Sequence, residues 1–294
     1  MDQDWKREII LIAQDHDSGS WALAIRALSA LEAASEGSHG DLYEAIQILL
    51  AGQPAMAALY NVAHVALGAS LHSHNVKKAL EEYLQEIHHE QELAIGKTLE
   101  LVGGRQRIVT ISASSIIENC LQHWERSILI FESRPRNEGA ILAQRLSRSG
   151  CQVSLAVDAA CHLLLKEGDV VLIGADSLTP AGVTNKIGSW HLAMAAQEKN
   201  IPVFVVAGRE KWWPEPLQEK YIETHDPREV LENTSTGITI INHYFEVIPF
   251  SLVTLIISGK GILTPQMMQI SLKSLRISAD FRDLLESIEH TREI

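Results

Sequence analysis

The first hundred residues carry the hydrophobic pattern of helices. In SWALAIRALSALEAAS the apolar residues Trp21, Ile25 and Leu28 recur every three or four positions, which is the spacing of one helix face. The stretch 75–98 continues this spacing over a greater length and places charged residues on the opposite side. We therefore predict an N-terminal helical domain over residues 1–103.

Near Arg105 the pattern changes to short apolar runs that alternate with amphipathic helices. Five runs have the length and composition of buried parallel strands: RIVTIS, SILIFES, QVSLAVD, VVLIGAD and VFVVAG. This alternation predicts an α/β fold, in which a Rossmann-like, doubly wound parallel sheet follows the helical domain. We assign residues 104–294 to this second, ligand-binding domain.

Charge and cysteine content narrow the classes of partner. The net charge of −12 argues against a broad surface for the nucleic-acid backbone, although a small pocket for one phosphate is compatible with it. The three cysteines contain no CxxC pair and are typical of reduced thiols in a cytoplasmic protein. The acidic N-terminal stretch and the shortness of the apolar runs favour a soluble, cytoplasmic protein with no membrane partner.

Four polar side chains stand where the predicted strands end: Ser112, Glu132, Asp158 and Asp176. Ligands of open parallel sheets bind beyond the carboxyl ends of the strands, so we expect these four side chains to converge on one rim. Helix capping is an alternative role for the acids. It fits Asp158 better than Asp176, because a turn containing Pro and Gly follows Asp176.

Asn185 and Lys186 come nine and ten residues after Asp176, at the predicted start of a helix. Backbone amides at a helix N-terminus favour an anion, so this segment indicates a polar, phosphorylated ligand. No cofactor is predicted, because no GxGxxG follows a strand and IGKT lacks the first glycine of a phosphate loop. No metal site is predicted either, since the paired histidines lie in or near a polar helix face.

Three longer stretches resemble one known family when they are taken in order. They are ESRPRNEGAILAQRLSRSGCQVSLAVDAA, GADSLTPAGVTNKIGSWHLAMAAQEKNIPVFVVA and VIPFSLVTLIISGKGILTP. Together they are similar to the alpha, beta and delta subunits of translation initiation factor 2B. That family also includes ribose-1,5-bisphosphate isomerase and 5-methylthioribose-1-phosphate isomerase. The resemblance extends from about residue 105 to residue 266, and the helical half is compatible with it through looser motifs.

The resemblance implies roles for individual residues. Asp176 matches the catalytic acid/base of the isomerases, which convert an aldose 1-phosphate to a ketose phosphate. Asn185 and Lys186 match substrate-binding residues, and Lys211 falls where the bisphosphate isomerase has a lysine that contacts the ligand. The resemblance also implies a homodimer, or a higher homo-oligomer, formed through the α/β domain.

Three elements of the family pattern are replaced in this chain. Ser112 occupies the place of the catalytic cysteine, and a hydroxyl is a poorer proton shuttle than a thiol, whose pKa is about 8.5. Ser18, Gly19 and Ser20 stand where the family has an arginine-glycine-alanine phosphate clamp. Gln53 stands in place of a second phosphate-binding arginine.

Two hypotheses follow from this combination of matching and departing residues. In the first, the chain binds a phosphorylated sugar or nucleotide at the carboxyl ends of the strands without turning it over. In the alternative, it is an active aldose-ketose isomerase of a ribose 1-phosphate-type substrate that uses Asp176 as acid and base. Both hypotheses predict a phosphorylated small molecule as the partner.

Overall fold

The computed structural model describes residues 4–16, 18–217, 225–232 and 237–292. Its helices are α1 (Asp4–Gln14), α2 (Ser20–Ser35), α3 (His39–Gly52), α4 (Ala57–Leu71), α5 (Val76–Val102), α6 (Ser115–Gln122), α7 (Glu138–Arg148), α8 (Cys161–Leu164), α9 (Ser189–Glu198), α10 (Pro265–Ser274) and α11 (Ala279–Arg292). None of these helices is long and apolar enough to cross a membrane.

The described strands follow the helical region. They are β1 (Arg107–Ile111), β2 (Ser127–Phe131), β3 (Val153–Ala156), β4 (Asp169–Ile173), β5 (Ser177–Thr179), β6 (Gly182–Lys186), β7 (Val203–Val206), β8 (Phe245–Ile248), β9 (Leu255–Ser258) and β10 (Gly261–Leu263). Seven of them form one sheet in the order β10-β9-β7-β4-β1-β2-β3. All neighbours in this sheet are parallel except β9 and β10.

The sheet is doubly wound, because both of its faces are covered by helices. Ile108 and Ile130 pack with α5, α6 and α7 on one face. Val109 and Ile111 point to the opposite face, where α9 and α10 cover them. Successive residues of a strand face opposite sides of the sheet, so apolar runs without alternation are what a sheet buried on both faces requires. The predicted fold class is confirmed.

The helical region has a core of its own. Buried residues of α1 to α4 pack together there, and Phe281 and Leu284 of α11 complete that core. The C-terminal helix therefore returns to the first half of the chain. The long helix α5 reaches from the helical core to the sheet, where Ala94 and Val102 pack on the face that Ile108 occupies.

A second, smaller sheet was not predicted. Strands β5, β6 and β8 pair in antiparallel fashion, with Thr184 of β6 opposite Ser177 on one side and Val247 on the other. Asn185 and Lys186 are the last two residues of β6, and α9 begins three residues after Lys186, at Ser189. The prediction that these two residues begin a helix is therefore wrong.

The approach of α7 to β2 leaves no room for a side chain at Gly139. A Cβ atom there would lie 1.8 Å from the backbone oxygen of Phe131. We expect Gly139→Ala to lower the free energy of unfolding by about 3 kcal/mol, since the backbone of helix or strand must move. Urea denaturation measures this loss.

The matched control is Gly96→Ala, in the exposed face of α5, where a Cβ would meet no atom within 4 Å. That change should stabilise the protein by about 0.5–1 kcal/mol, because alanine loses less conformational entropy than glycine in a helix. Equal stabilities of the two variants would contradict the close contact between α7 and β2.

Candidate active site

A cavity of about 300 Å³ lies between the helical region and the carboxyl ends of the sheet strands. Eight of the nine site residues suggested by the sequence line it: Ser18, Gly19, Ser20, Ser112, Asp176, Asn185, Lys186 and Lys211. Residues separated by up to about two thirds of the chain therefore meet in one place. This is the position at which open α/β sheets bind ligands.

Asp176 is the last residue of the short segment that joins β4 to β5. Its backbone nitrogen donates to the Thr184 oxygen (2.9 Å), and its backbone oxygen accepts from the Ala57 nitrogen (3.2 Å), so the segment is fixed from two sides. Burial raises the pKa of the Asp176 carboxyl, and the Lys211 ammonium together with a hydrogen bond from Ser20 partly offsets the rise. A carboxyl with a raised pKa can exchange protons closer to neutral pH than an ordinary aspartate.

Lys211 brings a buried positive charge into the cavity. It ends a short 3₁₀ turn after β7, it is only 7% exposed, and its Nζ donates to the Ser20 Oγ. The side-chain nitrogen of Asn61, on α4, donates to the backbone oxygens of Glu210 (3.0 Å) and Trp212 (3.1 Å). The helical region thus holds the turn that carries Lys211.

Lys186 is the second buried ammonium group of the cavity. Its Nζ donates to Glu138 Oε1 at 2.6 Å and lies 4.7 Å from the centre of the Tyr244 ring. Asn185 is fixed differently: its Nδ2 donates to Ser189 Oγ (3.1 Å), and that hydroxyl donates to the Lys186 backbone oxygen (2.6 Å). The strand, not a helix terminus, presents both side chains to the cavity.

Ser112 has a left-handed backbone conformation, with φ 67°. Its backbone nitrogen donates to the Ser133 Oγ at 2.6 Å, which holds the turn between β1 and α6. A non-glycine residue in this conformation is uncommon, and such strain concentrates at functional sites. The turn continues through Ala113 to Ser115, and all four residues line the cavity.

Comparison with known proteins places the chain in a family. The model of the initiation factor 2 subunit family matches residues 16–265. The chain belongs to this family. It is 33% identical over 242 residues to a ribose 1,5-bisphosphate isomerase of Methanocaldococcus jannaschii, a match that covers 76% of this chain and 77% of that protein.

Further proteins match this chain over different shares of their own length. A ribose 1,5-bisphosphate isomerase of Archaeoglobus fulgidus is 35% identical over 162 residues, which is 53% of this chain and 52% of that protein. The crystal structure of the Pyrococcus horikoshii OT3 translation initiation factor eIF-2B has a TM-score of 0.79 at 25% identity, covering 90% of this chain and 98% of the other. The 5-methylthioribose 1-phosphate isomerase from the same organism shares the fold, with a TM-score of 0.69 at 21% identity over 96% of this chain and 88% of that chain.

Gln53 does not line the cavity of this family member. It is 3% exposed, and its Nε2 donates to the backbone oxygens of Ile12 (3.1 Å), Ala13 (3.3 Å) and Asp15 (2.9 Å). The last carbonyl groups of a helix have no partner within the helix, and Gln53 satisfies those at the end of α1. Instead of the phosphate contact implied by the resemblance, the structure gives Gln53 a role in packing.

Two of the four expected rim residues also lie elsewhere. Ser112 and Asp176 line the cavity, whereas Glu132 and Asp158 do not. The Asp158 carboxylate accepts hydrogen bonds from the backbone nitrogens of Ser133 (2.8 Å) and Arg134 (2.7 Å). It therefore supports the loop after β2, which in turn holds Ser112 through Ser133.

Tyr244 is a cavity residue that the sequence analysis missed. Its ring stacks on His225, with centroids 3.4 Å apart, and its hydroxyl donates to the Glu229 carboxylate at 2.6 Å. The ring is fixed by these contacts under the Lys186 ammonium, so it positions that charge. No motif marks Tyr244 in the sequence, since its role depends on residues brought together by β6 and β8.

Proposed function

We propose that this chain binds a phosphorylated sugar in the cavity. The observation that carries the proposal is the convergence of two buried lysines, Lys186 and Lys211, on a cavity that also contains Asp176. An ammonium group has three N–H donors, more than the described side-chain hydrogen bonds to Glu138 and Ser20 use. The remaining donors suit phosphate oxygens, and the neighbouring carboxyl and amide groups suit hydroxyl groups.

The relatives suggest which sugar phosphate to test first. Two of them are named ribose 1,5-bisphosphate isomerase, so this compound is the first probe. The melting temperature should be measured in the presence of ribose 1,5-bisphosphate, methylthioribose 1-phosphate, nucleoside monophosphates or unphosphorylated ribose, and compared with that of the protein alone. At 100 times its dissociation constant, a ligand of the folded state stabilises it by about 2.7 kcal/mol. A melting temperature that no phosphorylated compound raises would refute the proposal.

A second candidate function is aldose-ketose isomerisation of the bound sugar phosphate. The observation that favours it is the raised pKa of Asp176 in a cavity that also contains Ser112. Protonation of the ring oxygen would open the ring and leave a positive charge at C1, because O1 stays bonded to phosphate. The Asp176 carboxylate would then take the proton from C2 to give an enol. The carboxylic acid would return that proton to C1 while the O2 proton passes to water, which leaves a ketone at C2 and the phosphate on C1. The Ser112 hydroxyl would hydrogen-bond a sugar oxygen. Phosphorus NMR of ribose 1,5-bisphosphate with the protein distinguishes binding from turnover.

We also propose that two copies of the chain associate through the surface formed by β3, α8 and α9. β3 is an edge strand of the large sheet. Large apolar side chains of this surface are exposed: Leu155 52%, Val157 54%, Leu163 80%, Trp190 39% and Met194 52%. A second copy would cover these side chains, since exposed apolar patches are typical of protein interfaces.

Leu163→Glu should convert a dimer to a monomer, because it places a charge on this apolar surface. Light scattering coupled to size-exclusion chromatography measures the mass. Ile270→Glu is the matched control, since Ile270 is 71% exposed but lies on α10. A wild-type mass of one chain, or a mass lowered equally by both variants, would contradict this interface.

A further inference from the structure

Glu210 is a buried carboxyl in the cavity for which neither proposed function has a use. It is 2% exposed and lines the same cavity as Asp176 and Lys211. Its Oε1 accepts a hydrogen bond from the Gln91 Nε2 at 3.1 Å. Its Oε2 has no hydrogen-bond partner among the described residues. Leaving a buried carboxyl oxygen unsatisfied is costly, so an oxygen of this kind in a cavity is suited to accept a hydrogen bond from a ligand.

Gly208 provides the space that this carboxyl occupies. Its φ of −73° and ψ of 173° are extended backbone values that any residue can adopt, so the backbone does not require glycine. A Cβ atom at position 208 would lie 2.1 Å from the Glu210 Oε2. The glycine therefore leaves room for the Glu210 carboxyl group, which occupies the space that a side chain at position 208 would take.

The chain on either side holds the carboxyl in this place. Asn61 binds the backbone oxygens of Glu210 and Trp212, and Trp213 donates from its backbone nitrogen to the Leu178 oxygen (2.9 Å). These hydrogen bonds fix the backbone of the turn to α4 and β5, and the hydrogen bond from Gln91 orients the Glu210 carboxyl. Glu210 is therefore positioned before any ligand arrives.

We propose that Glu210 hydrogen-bonds a sugar hydroxyl of the bound ligand through Oε2, and that it thereby recognises the sugar rather than its phosphate. This inference rests on the proposed binding of a phosphorylated sugar. A carboxyl group pairs well with a hydroxyl but repels a phosphate when both are charged, whereas Lys186 and Lys211 suit the phosphate. Glu210 and the two lysines would then contact different groups of the ligand.

Glu210 can bind a sugar hydroxyl whether its carboxyl group is ionised or protonated. Burial raises the pKa of its carboxyl, and the Lys211 ammonium and the hydrogen bond from Gln91 partly offset the rise. Glu90 on α5 raises it further. A sugar hydroxyl both donates and accepts, so it can bind a carboxylate or a carboxylic acid.

Dissociation constants of two probes, ribose 1,5-bisphosphate and inorganic phosphate, test the inference. Glu210→Ala should weaken the binding of ribose 1,5-bisphosphate about 10- to 100-fold, which is the contribution of a hydrogen bond to a polar or charged group. The binding of inorganic phosphate should be unchanged. Glu210→Gln keeps the shape and a hydrogen-bonding group, so it should retain most of the affinity. Gly208→Ala should weaken the binding of ribose 1,5-bisphosphate as Glu210→Ala does, because the new methyl group displaces the Glu210 carboxyl.

Glu132→Gln is the matched control. Glu132 is a partly buried carboxyl that lies outside the cavity. This variant should bind both probes like the wild type. Unchanged sugar-phosphate affinity in Glu210→Ala, or an equal loss for both probes, would overturn this inference and leave the proposed function standing. Failure of the wild type to bind ribose 1,5-bisphosphate would overturn both.

Discussion

Lys211→Met should weaken the binding of ribose 1,5-bisphosphate by about two orders of magnitude, because a charge-assisted hydrogen bond to phosphate is lost in a buried place. The lysine is only 7% exposed, so water screens its charge little. Methionine keeps most of the volume and removes the charge. Isothermal titration calorimetry measures the affinity directly.

The matched control for this change is Lys199→Met. Lys199 is partly buried and its Nζ donates to the Leu165 backbone oxygen, but it lies outside the cavity. Its substitution should leave the affinity unchanged. Removing Lys211 also removes the charge that holds down the pKa of Asp176 and Glu210. Circular dichroism should therefore show first that both variants are folded. Equal affinities of the two variants for ribose 1,5-bisphosphate would exclude Lys211 from the phosphate site.

Under the proposed isomerase function, Asp176→Asn should lower the turnover of ribose 1,5-bisphosphate by about 10²- to 10⁴-fold, the usual contribution of a positioned acid or base. The amide has the shape of the carboxyl but cannot take up and return a proton. Binding should persist, since the lysines remain in place. Phosphorus NMR follows the product, and the ligand-induced rise in melting temperature reports binding separately.

The raised pKa of Asp176 gives this turnover a pH dependence with a defined sign. As a base the residue must be ionised, so turnover should fall as pH falls through the raised pKa, and this fall should begin at a higher pH than for an ordinary aspartate. Glu132→Gln, which changes a carboxyl outside the cavity, should keep the wild-type rate and profile. Turnover that survives Asp176→Asn unaltered would remove Asp176 from the mechanism.

The regular elements with strong local patterns could be predicted from the sequence. The stretch SWALAIRALSALEAAS coincides with α2, and the five apolar runs overlap β1, β2, β3, β4 and β7. Of these strands β3 is partly exposed, although its run predicts a buried strand. An amphipathic helix and a strand buried on both faces each have a signature within their own residues. The position of Asp176 beyond the end of β4 follows from the same reasoning.

The small antiparallel sheet could not be predicted in this way. Its strand β6 pairs with β8, in which Val247 lies opposite Thr184 more than sixty positions earlier in the chain. Such pairing leaves no periodic signal in a five-residue strand that is buried at every position. Asn185 and Lys186 were consequently predicted at a helix terminus, although they face the cavity from a strand.

The sequence by itself determined the doubly wound sheet, the helical region before it and the cluster of candidate residues around Asp176. Only the tertiary structure decided which polar groups face the cavity. In the structure Gln53 binds the end of α1 and does not line the cavity, whereas Tyr244 and Glu210 do. The physical reason is that secondary structure follows from local hydrophobic spacing, whereas the direction of a side chain depends on contacts between distant segments. The carboxyl of Glu210 lies in the cavity because Gly208 leaves it space and Asn61 of α4 fixes its turn.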